Sequence, residues 1–172
     1  MRTITLLAAA CLALSCQKKE PPTDIAAAKP EEKTVTDAET AKRAEIMAYA
    51  KEYLGTAYCY AGSDPEKGFD CSGFVNYVFK KFNIELPRSS SGFEDVGPAL
   101  NPKDFKLGDV LVFYGYQDST SIGHVGIICE ANGMQSKFIH SSSGKEMQVM
   151  ISELGSDAYT KRFYKAVDVV GK

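Results

Sequence analysis

Hydrophobic spacing divides the chain into a helical part followed by a part built from strands. Between about residues 37 and 54, apolar side chains recur at the spacing of an amphipathic helix, and Gly55 lies at its end. The same spacing returns from Phe74 to Phe82, after a loop rich in turn-forming residues. Helices that precede sequential strands predict an α+β fold with a mostly antiparallel sheet packed against N-terminal helices.

The second half contains short apolar runs separated by polar turns, which is typical of strands. The predicted strands are 110–114, 124–129, 135–140, 148–151 and a last one within 159–170. Along the second strand, alternation places the even-numbered residues from His124 to Ile128 on one face and the odd-numbered residues on the other. Gly126 leaves room beside His124 for a packed neighbour.

The N-terminus follows neither pattern. An apolar run from Ile4 to Leu14 follows Arg2 and ends at Ser15 and Cys16, as in a secretory signal. The run is too short to span a bilayer. It resembles a bacterial lipoprotein signal, in which Cys16 becomes the acylated first residue of the mature chain. A secretory signal without lipidation is the alternative.

The composition after this run predicts the domain organisation. Lys, Glu, Pro, Ala and Thr dominate residues 17–36, which hold almost no large apolar residue and cannot bury a core. We therefore expect a signal peptide at 1–15, a disordered tether at 16–36 and a single folded domain at 37–172. We expect the protein to be exported and anchored by lipid to the bacterial cell envelope, facing the periplasm or the cell surface.

Charge and cysteine usage narrow the function. The chain has 20 basic and 22 acidic residues and no basic patch, so nucleic-acid binding is not expected. Of five cysteines, Cys11 leaves with the signal and Cys16 is acylated, which leaves Cys59, Cys71 and Cys129. An odd number argues against a disulfide framework, although a Cys59–Cys129 pair stays open.

Cys71 has the setting of a nucleophile. Asp70 is a good N-cap, so Cys71 lies in the first turn of the second helix. Unpaired backbone N–H groups and the helix dipole favour negative charge there, and we expect them to lower the pKa of the thiol. A buried structural cysteine is the alternative interpretation.

Two histidines, His124 and His140, are the only ones in the chain, and each adjoins a strand-like run. A cysteine that opens a helix, with histidines on strands behind it, is the layout of a papain-like thiol hydrolase. A metal site formed by Cys71 and both histidines is the alternative. The chain has no CxxC or HxxxH spacing to support it, so we predict neither metal nor cofactor.

Five stretches in order resemble the NlpC/p60 family of cell-wall cysteine peptidases. They are FDCSGFV at 69–75, LPRSS at 86–90, GDVLVFY at 108–114, GHVGI at 123–127 and FIHSS at 138–142. The resemblance extends from about Ala41 to the C-terminus. It implies a papain-like fold and hydrolysis of peptidoglycan stem peptides, either at γ-D-glutamyl–diaminopimelate bonds or at cross-links.

The resemblance also implies roles for individual residues. Cys71 is the nucleophile, His124 accepts its proton, and His140 orients the His124 ring. The residues assigned to substrate or oxyanion binding are Tyr58, Asp70, Ser72, Arg88, Ser89 and Ser90. Members that trim free peptides carry Asp where this chain has Ser89, and that Asp pairs with the substrate's free amine. Strict recognition of a free N-terminus is therefore not expected.

Other functions use the same residues. A peptidoglycan amidase or an acyltransferase would need the same triad. A wall-binding lipoprotein without catalysis is a third possibility, which the three filled triad positions disfavour. The expected partners are a peptidoglycan peptide and, through Cys16, a membrane, with the protein acting as a monomer.

Overall fold

The computed structural model describes residues 36–171. The predicted signal peptide, the lipidation site at Cys16 and nearly all of the predicted tether lie outside these residues. Within 36–171, no helix has both the length and the apolar character needed to cross a membrane.

The helices begin and end close to the predicted positions. They are α1 (Asp37–Lys51), α2 (Cys71–Lys80) and a short α3 (Asp157–Thr160), with 3-10 turns at Ser90–Asp95 and Pro102–Asp104. Thr36 caps α1 by accepting a hydrogen bond from the backbone N–H of Glu39, at 3.2 Å. Beyond the end of α1, Gly55 adopts a φ of 85°, a conformation that glycine adopts without strain.

The strands form one large sheet and one small hairpin. They are β1 (Ser63–Asp64), β2 (Gly68–Phe69), β3 (Val110–Tyr114), β4 (Ile122–Glu130), β5 (Lys137–Ser141), β6 (Val149–Glu153) and β7 (Phe163–Val167). Strands β3 to β7 pair in the order β6-β5-β4-β3-β7, and every neighbouring pair is antiparallel. The predicted α+β fold with an antiparallel sheet is therefore confirmed, whereas β1, β2 and α3 were not predicted.

The large sheet buries a different hydrophobic cluster on each face. One cluster joins α1 and α2 to the face that carries Val125 and Ile127. The other lies on the opposite face and includes Ile128 and Phe138. The predicted alternation along β4 is confirmed, and it sends neighbouring residues of one strand into two separate environments.

Arg43 ties α1 to the end of the sheet where β3 begins and β7 ends. The guanidinium is 3% exposed and forms ion pairs with Glu39, Asp109 and Asp168 at 2.6–2.9 Å. It also donates a hydrogen bond to the backbone carbonyl of Leu107 at 2.8 Å. A buried charge needs such partners to offset its lost hydration, and these partners lock α1 in place.

The hairpin of β1 and β2 brings its preceding loop against the start of α2. The carbonyl of Gly62 accepts a hydrogen bond from the backbone N–H of Asp70 at 3.0 Å. The same carbonyl lies where a side chain on Gly73 would be, so only glycine fits at this point of the helix. The approach holds Cys71 at a defined place beside the sheet.

Candidate active site

Cys71 is the first residue of α2, and its sulfur faces β4. Burial is the largest influence on the thiol and raises its pKa above the ordinary value, and the negative charge of Asp70 acts in the same direction. The nearby backbone N–H groups of Val125, Ser72 and Cys71 lower the pKa, but by less than burial raises it. The expectation of a lowered thiol pKa was therefore wrong. The helix start acts in the predicted direction, but desolvation outweighs it.

His124 and His140 contact each other directly. The His124 Nε2 atom lies 2.9 Å from the His140 Nδ1 atom, and the two rings are perpendicular. Antiparallel pairing of β4 and β5 brings both side chains to the same face of the sheet, as the sequence predicted. Gly126 makes this possible, because a side chain there would collide with Phe138 and crowd His140.

Burial keeps both histidines neutral. The pKa of His124 is well below its ordinary value because of burial, with further lowering by the charges of His140 and Arg162. Burial also lowers the pKa of His140 to about 4, again with a contribution from Arg162. At neutral pH each ring therefore carries one proton, and the hydrogen-bond partners determine which nitrogen holds it.

On the side away from His124, the His140 ring contacts two hydroxyl groups. Its Nε2 atom lies 2.9 Å from the Ser152 Oγ atom and 3.3 Å from the Tyr159 hydroxyl. Ser152 belongs to β6, the strand beside β5. Sequence reasoning missed both hydroxyls. Ser152 requires the register of β6 against β5, and Tyr159 lies on the unpredicted α3.

Asp70, Ser72 and Arg88 form one polar cluster at the start of α2. Asp70 accepts a hydrogen bond from the backbone N–H of Gly73 at 2.6 Å, as a helix cap does. Arg88 donates to both carboxylate oxygens of Asp70, at 2.9 and 3.0 Å, and to the Gly62 carbonyl at 3.1 Å. These contacts hold the LPRSS loop against the start of α2.

Tyr58 lies beside the segment that leads into Cys71. Its backbone forms a parallel bridge with Phe69, two residues before Cys71. Burial raises the pKa of its phenol, and the negative forms of Cys71 and Asp70 raise it further. The phenol is therefore neutral at neutral pH and keeps its O–H donor close enough to Cys71 for the two groups to interact electrostatically.

A hydrogen bond joins the segment before Cys71 to β5, the strand that carries His140. The Ser141 hydroxyl donates to the backbone carbonyl of Phe69 at 2.7 Å, and it is buried. His140 and Ser141 are consecutive, so β5 presents one side chain to His124 and the next to the segment before Cys71. Among the hydrogen bonds described within 36–171, none joins Cys71 directly to His124. Cys71 meets β4 at the backbone of Val125, the next residue.

The match to a known family covers most of this site. The NlpC/P60 family matches residues 55–168, which hold every predicted site residue except Cys16. The chain belongs to the NlpC/P60 family. The fold around the site and the order of its motifs agree with that membership.

Relatives of this NlpC/P60 chain are longer proteins. It is 37% identical over 118 residues to a gamma-DL-glutamyl hydrolase of Bacillus subtilis, covering 68% of this chain and 27% of that protein. It is 30% identical over 131 residues to the murein DD-endopeptidase MepS/murein LD-carboxypeptidase of Escherichia coli, covering 76% and 64%. The chain thus spans about a quarter and about two thirds of their lengths.

A solved structure gives the same picture of the NlpC/P60 fold. The crystal structure of the NlpC/p60 domain of the peptidoglycan hydrolase SagA is 30% identical in sequence, with a TM-score of 0.59. The match covers 73% of this chain and 97% of the SagA domain. It therefore concerns the domain itself.

Ser89 and Ser90 take part in a local turn of this NlpC/P60 domain. Ser89 caps the 3-10 turn by accepting a hydrogen bond from the Gly92 N–H at 3.4 Å, and its hydroxyl lies 3.1 Å from that of Ser91. Ser90 is the first residue of the turn. Their assignment to substrate binding stays a prediction.

The structure also bears on the possible disulfide and on the possible metal site. Cys59 and Cys129 are free thiols, as is Cys71, so the structure contains no Cys59–Cys129 disulfide. Within 36–171, no three side chains of His, Cys, Asp or Glu come together as a metal-binding group. The site residues instead form a hydrogen-bonded chain beside a thiol.

Proposed function

We propose that this NlpC/P60 domain is a cysteine peptidase that hydrolyses peptide bonds in peptidoglycan stem peptides. The observation that carries the proposal is the neutral His124–His140 pair, which ends on Ser152 and lies beside the helix start that holds Cys71. The relatives named as a gamma-DL-glutamyl hydrolase and a murein DD-endopeptidase support the substrate class.

The hydrogen-bonded chain can hold the protonation state that a base requires. A base at the Nδ1 atom of His124 needs its own proton on Nε2, which then donates to the His140 Nδ1 atom. His140 must in turn carry its proton on Nε2, and this N–H donates a hydrogen bond to the Ser152 oxygen. In this arrangement Ser152 stabilises the required tautomer of His140 and, through it, that of His124.

The reaction follows from these positions. The Cys71 thiol gives its proton to His124 while the sulfur attacks the carbonyl carbon of the scissile bond. The backbone N–H of Cys71 and the phenol of Tyr58 donate to the oxyanion that forms. His124 then protonates the leaving amine, which departs and leaves a thioester on Cys71. Water, activated by His124, hydrolyses the thioester and restores the thiol.

Digestion of purified muropeptides tests the proposal. We expect the wild-type protein to release new amine and carboxylate ends, identified by mass spectrometry, and the Cys71→Ala variant to release none. Cys59→Ala, which removes another partly exposed free thiol, is the matched control and should retain activity. An unchanged digest would contradict the peptidase proposal. Release of a glycan from its stem peptide would instead identify an amidase, and joined peptides an acyltransferase.

We further propose that the domain acts in the cell envelope, exported by residues 1–15 and carried on a tether at 16–36. Acylation of Cys16 would supply the membrane affinity. The Cys16→Ser variant should then appear in the soluble fraction, and only the wild type should incorporate labelled palmitate. A wild-type protein that is exported but incorporates no palmitate would show that the signal is not a lipoprotein signal.

A further inference from the structure

A cavity of about 730 Å³ opens beside His124. Its walls come from the connector between β3 and β4, the loop after β5, and the segment around α3. The residues that matter here are Tyr116, Asp118, His124, Ser143, Tyr159 and Arg162. The volume is in the range of pockets that hold a small ligand or part of a larger one.

Arg162 contributes a cation to this cavity. Its Nε atom donates to the Ala158 carbonyl at 3.1 Å, and its Nη1 atom donates to the Tyr114 carbonyl at 3.3 Å. The guanidinium also lies against the rings of Tyr116 and Tyr159, at 5.4 and 5.2 Å from their centroids. These contacts hold the plane of the group without neutralising its charge.

The positive charge of Arg162 has no acidic partner among the ion pairs of residues 36–171. Asp118 lines the same cavity, but its carboxylate accepts hydrogen bonds from Thr120 and Ser121 instead. The Arg162 charge also reaches the catalytic centre, since it disfavours protonation of both His124 and His140. A guanidinium fixed in this way is suited to bind a carboxylate through its free edge.

The position of the cavity relative to His124 indicates which part of the substrate enters it. His124 must protonate the leaving amine, so the released segment lies beside His124 and not beside Asp70 and Arg88. We propose that the cavity binds a carboxylate carried by the residue whose amine is released, and that Arg162 is its partner. This inference rests on the proposed function.

The carboxylate identifies a substrate class. In a γ-D-glutamyl–diaminopimelate bond, and in a direct cross-link from D-alanine to diaminopimelate, the released amine belongs to diaminopimelate. That residue keeps a free carboxylate that lysine lacks and that amidation neutralises. The enzyme should therefore select stem peptides with unamidated diaminopimelate over amidated or lysine-containing ones.

Two matched muropeptides test this selection. They differ only in whether the free carboxyl group of the diaminopimelate is a carboxylate or a carboxamide. For the wild type we expect kcat/KM to be roughly tenfold to a hundredfold higher for the carboxylate, as for a charge-assisted hydrogen-bonded pair. Arg162→Gln should abolish the preference, and Arg162→Lys should keep part of it. Lys161→Gln removes a neighbouring exposed charge and should keep all of it.

The ratio of the two kcat/KM values separates a loss of carboxylate recognition from a structural defect, which would slow both reactions alike. Arg162→Gln also loses two hydrogen bonds to carbonyls, which would slow both muropeptides alike. If the variant is slower on both but keeps the wild-type preference, the inference is wrong. If the wild type cleaves neither muropeptide, the proposed function fails and binding decides the inference alone. Calorimetry with the Cys71→Ala variant should then show tighter binding of the carboxylate product peptide, and equal binding of both products once Arg162→Gln is added.

Discussion

The two sides of the candidate active site are stabilised by opposite kinds of chemistry. On the side of Cys71, Asp70 and Arg88 form a two-point ion pair that fixes the start of α2. On the histidine side, His140 is fully buried and neutral and is surrounded by rings and hydroxyls. An ion pair orders the side of Cys71, whereas burial determines the protonation state on the side of the histidines.

The arginines of the two sides differ in the same way. Arg88 is neutralised by Asp70, so it orders the chain. Arg162 lies on two tyrosine rings and two carbonyls, and the described ion pairs give it no carboxylate. A cation that the protein has not neutralised remains available to a ligand. The domain thus uses one arginine for its own architecture, and our proposal assigns the other to the substrate.

The largest effects are expected on the neutral side. His124→Ala should reduce muropeptide hydrolysis nearly as much as loss of Cys71, since proton transfer needs this ring. His140→Asn should keep measurable activity because an amide oxygen can still accept a hydrogen bond from the Nε2–H of His124, whereas His140→Ala should lose much more. Rates on one defined muropeptide measure all three. If His124→Ala is the mildest, the assignment of roles is wrong.

The free energy of unfolding should fall at acidic pH because the folded state keeps His140 neutral. The unfolded chain takes up a proton near pH 6.5, but the folded ring does so only near pH 4. The unfolded state therefore binds more protons in this window, and the free energy of unfolding falls as pH decreases through it. Relative to His140→Asn, the wild type should lose up to roughly 3 kcal/mol between pH 7 and pH 4. Chemical denaturation at each pH measures the difference, and parallel curves would contradict it.

Smaller effects are expected from the charged side. Asp70→Ala removes the cap of α2 and should lower the free energy of unfolding by about 1–2 kcal/mol. Arg88→Gln should lower it by less than about 1 kcal/mol, because Arg88 is 44% exposed and water screens its pair. Denaturant titration of both variants checks the order. A larger loss for Arg88→Gln would mean that the ion pair, and not the cap, holds the helix start.

Ser152 should have the smallest effect. Ser152→Ala removes the oxygen that accepts the hydrogen bond from the Nε2–H of His140. The tautomers that do not leave the Nδ1 atom of His124 free to act as a base should then become more populated. We expect kcat to fall severalfold with little change in KM, because Ser152 acts on His124 only through His140. Ser152→Thr keeps a hydroxyl and should restore the rate. Equal loss in both variants would indicate a packing effect rather than a hydrogen bond.

Features set by local periodicity were predictable from the sequence. The start of α2 at Cys71 followed from Asp70 and the spacing of apolar residues. The meeting of His124 and His140 followed from alternation along β4 and an antiparallel turn to β5. Both need only the geometry of neighbouring elements, which sequence patterns report directly.

Features set by distant packing were not predictable. The pKa of Cys71 depends on how deeply α2 is buried against the sheet, and burial reversed the effect expected from the helix start. Ser152 reaches His140 only through the register of β6, and Arg162 reaches the cavity only because β7 returns beside β3. No pattern within any one segment contains that information.

The hydrogen bond from Ser141 to Phe69 also bears on when the domain becomes reactive. It closes a loop of 72 residues, which is among the slower kinds of contact to form during folding. Until β5 docks, a nascent chain has its thiol but lacks His140 beside His124. We therefore expect a partly folded chain to be harmless to its substrate, so that hydrolysis begins only after the whole domain is assembled.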